Sequence, residues 1–168
     1  MEKSIIFIGF MGAGKTTVGK ALADKLNRRF IDSDDVIEQE FGMPASEIFK
    51  VHGEKVFRDK EKSVIMDLCA QKELVISLGG GAFLQEEIRR ACQNSSIIIY
   101  LDLPFELWKE RVRLIIDSRP VLQGKSLEEM KQLYDSRQEI YRYHHLKINV
   151  DQKSPEEIAD HIMKEVGL

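Results

Sequence analysis

Lys15 and Thr16 close the stretch Gly9-Phe10-Met11-Gly12-Ala13-Gly14-Lys15-Thr16, which has the G-x-x-x-x-G-K-[ST] spacing of a phosphate-binding loop, or P-loop. Glycines let such a backbone curl until successive N–H groups point inward as a nest for an anion. A helix starting where the loop ends adds the partial positive charge of its N-terminus. Gly12, Ala13, Gly14, Lys15, Thr16 and Thr17 are therefore candidate ATP-binding residues. Lys15 reaches toward the β- and γ-phosphates, and the Thr16 hydroxyl can ligate Mg²⁺. The run Ile5-Ile6-Phe7-Ile8 before the loop reads as a buried strand. Thr17 to Leu26 after it reads as a helix with Val18, Leu22 and Leu26 on one face. The competing reading, a glycine-rich turn ahead of an ordinary helix, leaves the fixed positions and both flanks to chance.

Further chemistry is available at three places. Asp32 and Asp34 flank Ser33 at a strand end, and alternate residues of an extended chain point the same way, so both carboxylates can enter one crevice. One carboxylate near Mg²⁺ and another near an acceptor hydroxyl is what phosphoryl transfer needs. The plainer alternative is N-capping of the next helix by Asp34 or Asp35. Gly79-Gly80-Gly81 follows an apolar strand directly; backbone without side chains admits a ligand closely, although a tight strand-to-helix turn also uses glycine. Arg119-Pro120 sits in a polar stretch that reads as a lid, where an arginine can stabilise charge on a transferred group and closure can exclude water. Taken singly, Arg58, Arg111 and Arg137 read as solvated surface arginines.

The elements that must position these groups alternate. Apolar runs at Ile5–Ile8, Arg29–Asp32, Leu74–Leu78, Ile97–Leu101 and Lys147–Val150 are separated by helical patterns, which predicts an α/β fold with a parallel sheet. Helices are expected over Asp34–Phe41, from Pro44, over Glu54–Lys72, over Gln85–Cys92, from Pro104, over Leu127–Tyr143 and over Pro155–Val166. Ligands on such sheets bind outside the carboxyl ends of the strands, which gathers the P-loop, Asp32–Asp34, Gly79–Gly81 and the segment after Leu101 around one crevice.

Length and composition are consistent with this. The chain has 168 residues, is 43% hydrophobic and 32% charged, and suits one domain with a proper core. A formal charge of −3 supplies no general basic field for nucleic acid. Cys69 and Cys92 lack metal-type spacing and suggest no disulfide framework, only buried or half-buried thiols. His52, His144, His145 and His161 show no ligand spacing. With a strand and P-loop from the start and no apolar stretch of spanning length, a cytoplasmic protein without signal peptide or membrane partner is expected.

Together these motifs resemble the shikimate kinase family, small P-loop kinases related in fold to the nucleoside monophosphate kinases. The resemblance spans essentially the whole chain. It rests on Gly9–Lys20, Phe30–Asp34, Glu47-Ile48-Phe49, Gly53-Glu54, Phe57-Arg58, Gly79–Gly81, Arg119-Pro120, and Arg137 with Tyr141. It implies a three-layer P-loop fold with five parallel strands in the order 2-3-1-4-5. One domain over 1–168 would have an acceptor-binding region at about 33–61 and a mobile lid at about 113–126. The implied reaction is phosphorylation of the 3-hydroxyl of shikimate by MgATP, in aromatic amino-acid biosynthesis, by a monomer. Lys15, Asp34 and Arg119 would be catalytic. Asp34, Arg58, Gly79, Gly80, Gly81 and Arg137 would bind shikimate, with the two arginines gripping its carboxylate in the bidentate manner their planar forks allow. Thr16 and Asp32 would position Mg²⁺, and Arg111 and Arg119 would contact ATP. The lid reads Arg119-Pro120-Val121-Leu122 where the family usually has leucine at the third position. The stretch from Arg111 to Arg119 is longer than expected, leaving Arg113 as a second adenine candidate, and Val75-Ile76-Ser77 ends without a Walker B aspartate.

Two other readings compete. A related kinase for gluconate or a nucleoside monophosphate would need polyol- or phosphate-reading residues in place of Asp34, Arg58 and Arg137. A nucleotide-dependent switch or binding module would need no second-substrate pocket.

Overall fold

The computed structural model describes residues 2–115, 124–151 and 153–168. Strands β1 (Ser4–Ile8), β2 (Arg29–Asp32), β3 (Leu74–Ser77), β4 (Ser96–Asp102) and β5 (Leu146–Asn149) form one parallel sheet in the order β2-β3-β1-β4-β5. The described helices are α1 (Lys15–Leu26), α2 (Ser33–Phe41), α3 (Ala45–Cys69), α4 (Glu86–Ser95), α5 (Phe105–Ile115), α6 (Leu127–Tyr141) and α7 (Pro155–Val166), with a 3₁₀ turn at Ala82–Leu84. The central strand β1 is buried at every position, with Ile5 paired to Val75 on one side and Ile97 on the other. A strand covered on both faces has no solvent side, so its sequence is a solid apolar run rather than an alternation.

Local chemistry sets the helix ends around the crevice. Gly14, in left-handed conformation (φ 98°), hands the P-loop directly to α1, which begins at Lys15, two residues before the periodicity alone suggests. Asp32 caps α2 by accepting from the Asp34 and Asp35 N–H groups. The capping residue is therefore Asp32 rather than Asp34 or Asp35, and the chain has turned helical by Ser33 instead of staying extended through Asp34. The segments expected to begin separately at Pro44 and Glu54 are the two helical halves of α3, divided at Gly53, whose φ of 86° and ψ of 166° are not helical. Helices α6 and α7 each start with a capping box, Ser126 with Glu129 and Ser154 with Glu157. Helix α5 continues to Ile115, so the polar excursion expected from Arg113 opens as helix. Most of that excursion, including Arg119, lies outside the described residues.

The P-loop is anchored from behind. Trp108 on α5 is fully buried, and its indole N–H donates to the Met11 carbonyl at 2.7 Å. Phe10 meets Trp108 and Tyr134 edge-on, each with ring centroids 5.1 Å away. The variable positions of the phosphate loop are thus core residues that tie it to α5 and α6. Truncating Trp108 to alanine should cost about 3–5 kcal/mol of stability, read as a lower urea midpoint. A loss under about 1 kcal/mol would show that the indole does not support the loop.

Candidate active site at the carboxyl ends of the strands

Three loops meet where β1, β2 and β3 end. A small cleft there is lined by Met11, Lys15, Thr16, Asp32, Asp34 and the Gly79-Gly80 backbone, among others. Gly12 (φ 82°) and Gly14 (φ 98°) bend the P-loop in a conformation that L side chains resist. The buried Lys15 ammonium donates to the Gly9 carbonyl at 2.5 Å and the Phe10 carbonyl at 3.3 Å. Ala13 is turned inward, its N–H donating to the Phe10 carbonyl at 3.1 Å, so that donor closes the loop on itself. Thr17 is exposed on the first turn of α1. Arg111 reaches the same loop from α5, donating to the Gly12 carbonyl at 3.0 Å. The Arg113 side chain and all of Arg119 lie outside what is described.

Thr16 Oγ1 donates to Asp32 Oδ2 at 3.0 Å, while Asp32 Oδ1 accepts from the Asp34 N–H at 2.9 Å. One carboxylate therefore caps α2 and faces the P-loop at once. A pair of hard oxygens beside the phosphate nest suits Mg²⁺, which takes one or two protein ligands and completes its shell with phosphate and water. Among the described residues no three His, Cys, Asp or Glu side chains cluster as a metal cage.

The glycine run separates the two readings given to it. None of Gly79, Gly80 and Gly81 has positive φ, so no turn conformation demands glycine there. Space does. A Cβ on Gly79 would sit 2.7 Å from Asp34 Oδ1, and one on Gly81 would sit 2.6 Å from both Arg58 Nη2 and Arg137 Nη1. A strip of bare backbone thus runs from a carboxylate at one end to two guanidinium groups at the other. Tyr141, one helical turn beyond Arg137, pins the strip by donating to the Gly80 carbonyl at 2.7 Å.

The arginines are far from the solvated surface residues that each suggests alone. Arg137 is 6% exposed, and its Nε and Nη1 are buried without a hydrogen-bond partner, as is Nε of Arg58. Burial, helped by the charge of Arg58 and opposed by Tyr141, Glu54 and Glu61, holds the Arg137 guanidinium below its ordinary value. Buried donors left unpaired cost free energy, and two converging like charges add to the cost. A planar anion between the forks removes both penalties.

The sequence matches the family model "Shikimate kinase" over residues 11–167. The chain belongs to the shikimate kinase family. A shikimate kinase of Oceanobacillus iheyensis is 54% identical over 99% of this chain and 91% of its own. One from Bacillus subtilis is 49% identical over 97% and 88% respectively. Among solved structures, a shikimate kinase from Acinetobacter baumannii in complex with shikimate superposes with a TM-score of 0.92 at 37% identity, covering 98% of this chain and 92% of that one. Shikimate kinases use ATP as co-substrate.

Motif reading of a shikimate kinase passes over Glu61, which is fully buried on α3. It accepts from Arg58 Nη1 at 2.9 Å and from Gln85 Nε2 at 3.4 Å, and Gln85 Nε2 also donates to the Arg58 carbonyl at 2.9 Å. A signal was present: Phe57, Glu61, Val64, Ile65 and Leu68 fall on one helical stripe, and a carboxylate within an apolar stripe needs a buried cation. Burial holds the Glu61 carboxyl above the ordinary glutamate value of 4.5, with Arg58, Gln85 and Arg137 pulling the other way. The folded protein then keeps a proton at pH values where the unfolded chain has released it. The contribution of Glu61 to stability is therefore full below about 4.5 and fades as pH rises through its raised folded value. Glu61→Gln should abolish that segment of the stability–pH curve, measured by urea midpoints across the acidic range. An unchanged curve would show that Glu61 titrates normally.

Proposed function

We propose that this chain transfers the γ-phosphoryl group of ATP to the 3-hydroxyl of shikimate, giving shikimate 3-phosphate and ADP, in the route to chorismate and the aromatic amino acids. The observation that carries the reading is the bare Gly79–Gly81 strip, with Asp34 at one end and the half-buried Arg58 and buried Arg137 forks at the other. Shikimate is a ring bearing a carboxylate and, across from it, hydroxyl groups. The two arginines take the carboxylate and the glycine backbone lies along the ring. Asp34 holds the acceptor hydroxyl toward the P-loop and takes its proton as the new bond forms. Lys15 neutralises charge on the transferred group, and Arg119 does so from the lid at about 113–126. Thr16 and Asp32 would hold Mg²⁺, which would supply positive charge against the charge developing on the phosphates. Gly12, Gly14 and Thr17 contribute the rest of the phosphate contacts, Ala13 holds the loop's shape through its bond to the Phe10 carbonyl, and Arg111 packs on the adenine. On this reading residues 1–168 act as a single cytoplasmic domain, with acceptor recognition spread over about 33–61, and as a monomer without nucleic-acid or membrane partners.

Gluconate and nucleoside monophosphate readings lack a feature in their favour, because two desolvated guanidinium groups, Arg137 buried and Arg58 half-buried, beside a glycine strip read a carboxylate on a compact ring. A coupled ADP-release assay with MgATP tests the choice, offering shikimate, gluconate, quinate and AMP in turn. Turnover with shikimate well above the other three is the expected result. Preference for another acceptor would retain the P-loop argument and overturn the acceptor pocket. ATP binding without turnover on any of them would restore the binding-module reading.

A further inference from the structure

Cys69 and Cys92 are 23 residues apart, yet their sulfur atoms lie 3.8 Å from each other where α3 packs on α4. Cys69 is the last residue of α3 and is half-buried, whereas Cys92 is fully buried within α4. Neither lines the cleft at the P-loop. We propose that the pair is a reversible thiol–disulfide site, with Cys69 as the attacking sulfur, Cys92 as the resolving sulfur and low-molecular-weight disulfides as the oxidant.

The division of labour follows from the surroundings. Cys69 is partly exposed and Cys92 is not, so Cys69 meets the oxidant first. The Cys92 S–H, and after it Ser95, stabilise the Cys69 thiolate against the cost of burial and bring this thiol down to about 7, close to the optimum for an attacking sulfur. Cys92 is pushed far up by its neighbour and by burial, which keeps it protonated until the second step. The carboxyl end of α3 opposes a thiolate, so these two donors are what favour it.

The chemistry closes without further reagents. The Cys69 thiolate attacks one sulfur of R–S–S–R, forming a Cys69–S–S–R bond and releasing R–S⁻. Cys92 then attacks the Cys69 sulfur, the Cys69–Cys92 bond forms, and the second R–S⁻ leaves with the proton Cys92 gives up. Two protein thiols are oxidised by two electrons, and one R–S–S–R is reduced to two thiols. The crosslink joins α3 and α4 at the opposite end of the seam from Gln85, which bridges to Arg58 and Glu61 on α3.

Folded, reduced full-length protein treated with oxidised glutathione tests this. The expected product has lost two hydrogen masses, carries no glutathione, yields a single crosslinked peptide containing Cys69 and Cys92, and reverts with dithiothreitol. It should also melt above the reduced protein, because the crosslink restricts the unfolded chain. Cys92→Ala should stop at the Cys69–glutathione adduct, and Cys69→Ala should react at least about tenfold more slowly than the parent, in line with loss of the accessible thiolate. If the alanine at 92 prevents folding, the mass and peptide map of the parent protein decide alone. A stable glutathione adduct on the parent, a disulfide between two chains, or thiols that react only after unfolding would each overturn the proposal.

Discussion

Arg137→Ala should raise the KM for shikimate by about two orders of magnitude or more and leave the KM for ATP within about twofold. Truncating one partner of a desolvated charge pair costs about 2–5 kcal/mol, much of it from the opposing charge left buried. On the proposed reading the opposing charge is the substrate carboxylate, with Arg58 left to meet it. Nothing ties Arg137 to the P-loop: its guanidinium lies beside Gly81, on the far side of the strip from Asp34. Arg137→Lys should recover only part of the loss, since an ammonium keeps the charge and discards the fork. Stability should move differently from activity. The parent buries Arg137 with two unpaired nitrogens, so Arg137→Met, which keeps most of the volume, should melt no lower than the parent. Equal loss of shikimate and ATP affinity would remove Arg137 from the acceptor pocket.

Asp34→Asn should lower kcat about 10²- to 10⁴-fold with little change in ATP affinity, the range for loss of a positioned acid–base group. The substitution keeps shape and removes charge, so the test isolates the carboxylate. The helix cap is safe, because Asp32 makes it and Asp34 contributes only its backbone N–H. In a loose phosphoryl-transfer transition state the acceptor proton leaves late, so a mild effect on kcat with a raised shikimate KM would assign Asp34 to holding the hydroxyl alone. Unchanged turnover and KM would remove it from both roles. Asp32→Asn separates the neighbouring carboxylate: its effect should fall on the Mg²⁺ concentration needed for half-maximal rate, because Asp32 faces Thr16 and not the glycine strip.

Periodicity and turn chemistry made most of the architecture legible from residues alone. β1 is a solid apolar run because both its faces are covered, and the P-loop glycines are where a strand must hand over to a helix. Pro155 and Gly167 bracket α7 where local rules put them. The order of the strands is different in kind: it is a statement about neighbours distant in sequence, and the resemblance to shikimate kinases supplied it where periodicity is silent.

What only the tertiary structure decided concerns pairs of residues far apart along the chain. Arg58 and Arg137 each look like surface arginines, and their guanidinium groups, one half-buried and one buried, meet only when α3 and α6 converge on Gly81. Glycine at 79 and 81 has two meanings in sequence; the absence of positive φ and the crowding by Asp34, Arg58 and Arg137 select close approach over turn geometry. Asp32 and Asp34 do share a crevice, but through a helical first turn capped by Asp32 rather than through an extended strand. Cys69 and Cys92 carry no spacing signal because their meeting depends on how α3 lies against α4. Local sequence governs backbone conformation within a few residues, whereas burial, charge pairing and sulfur contact depend on packing between elements that local preference does not encode.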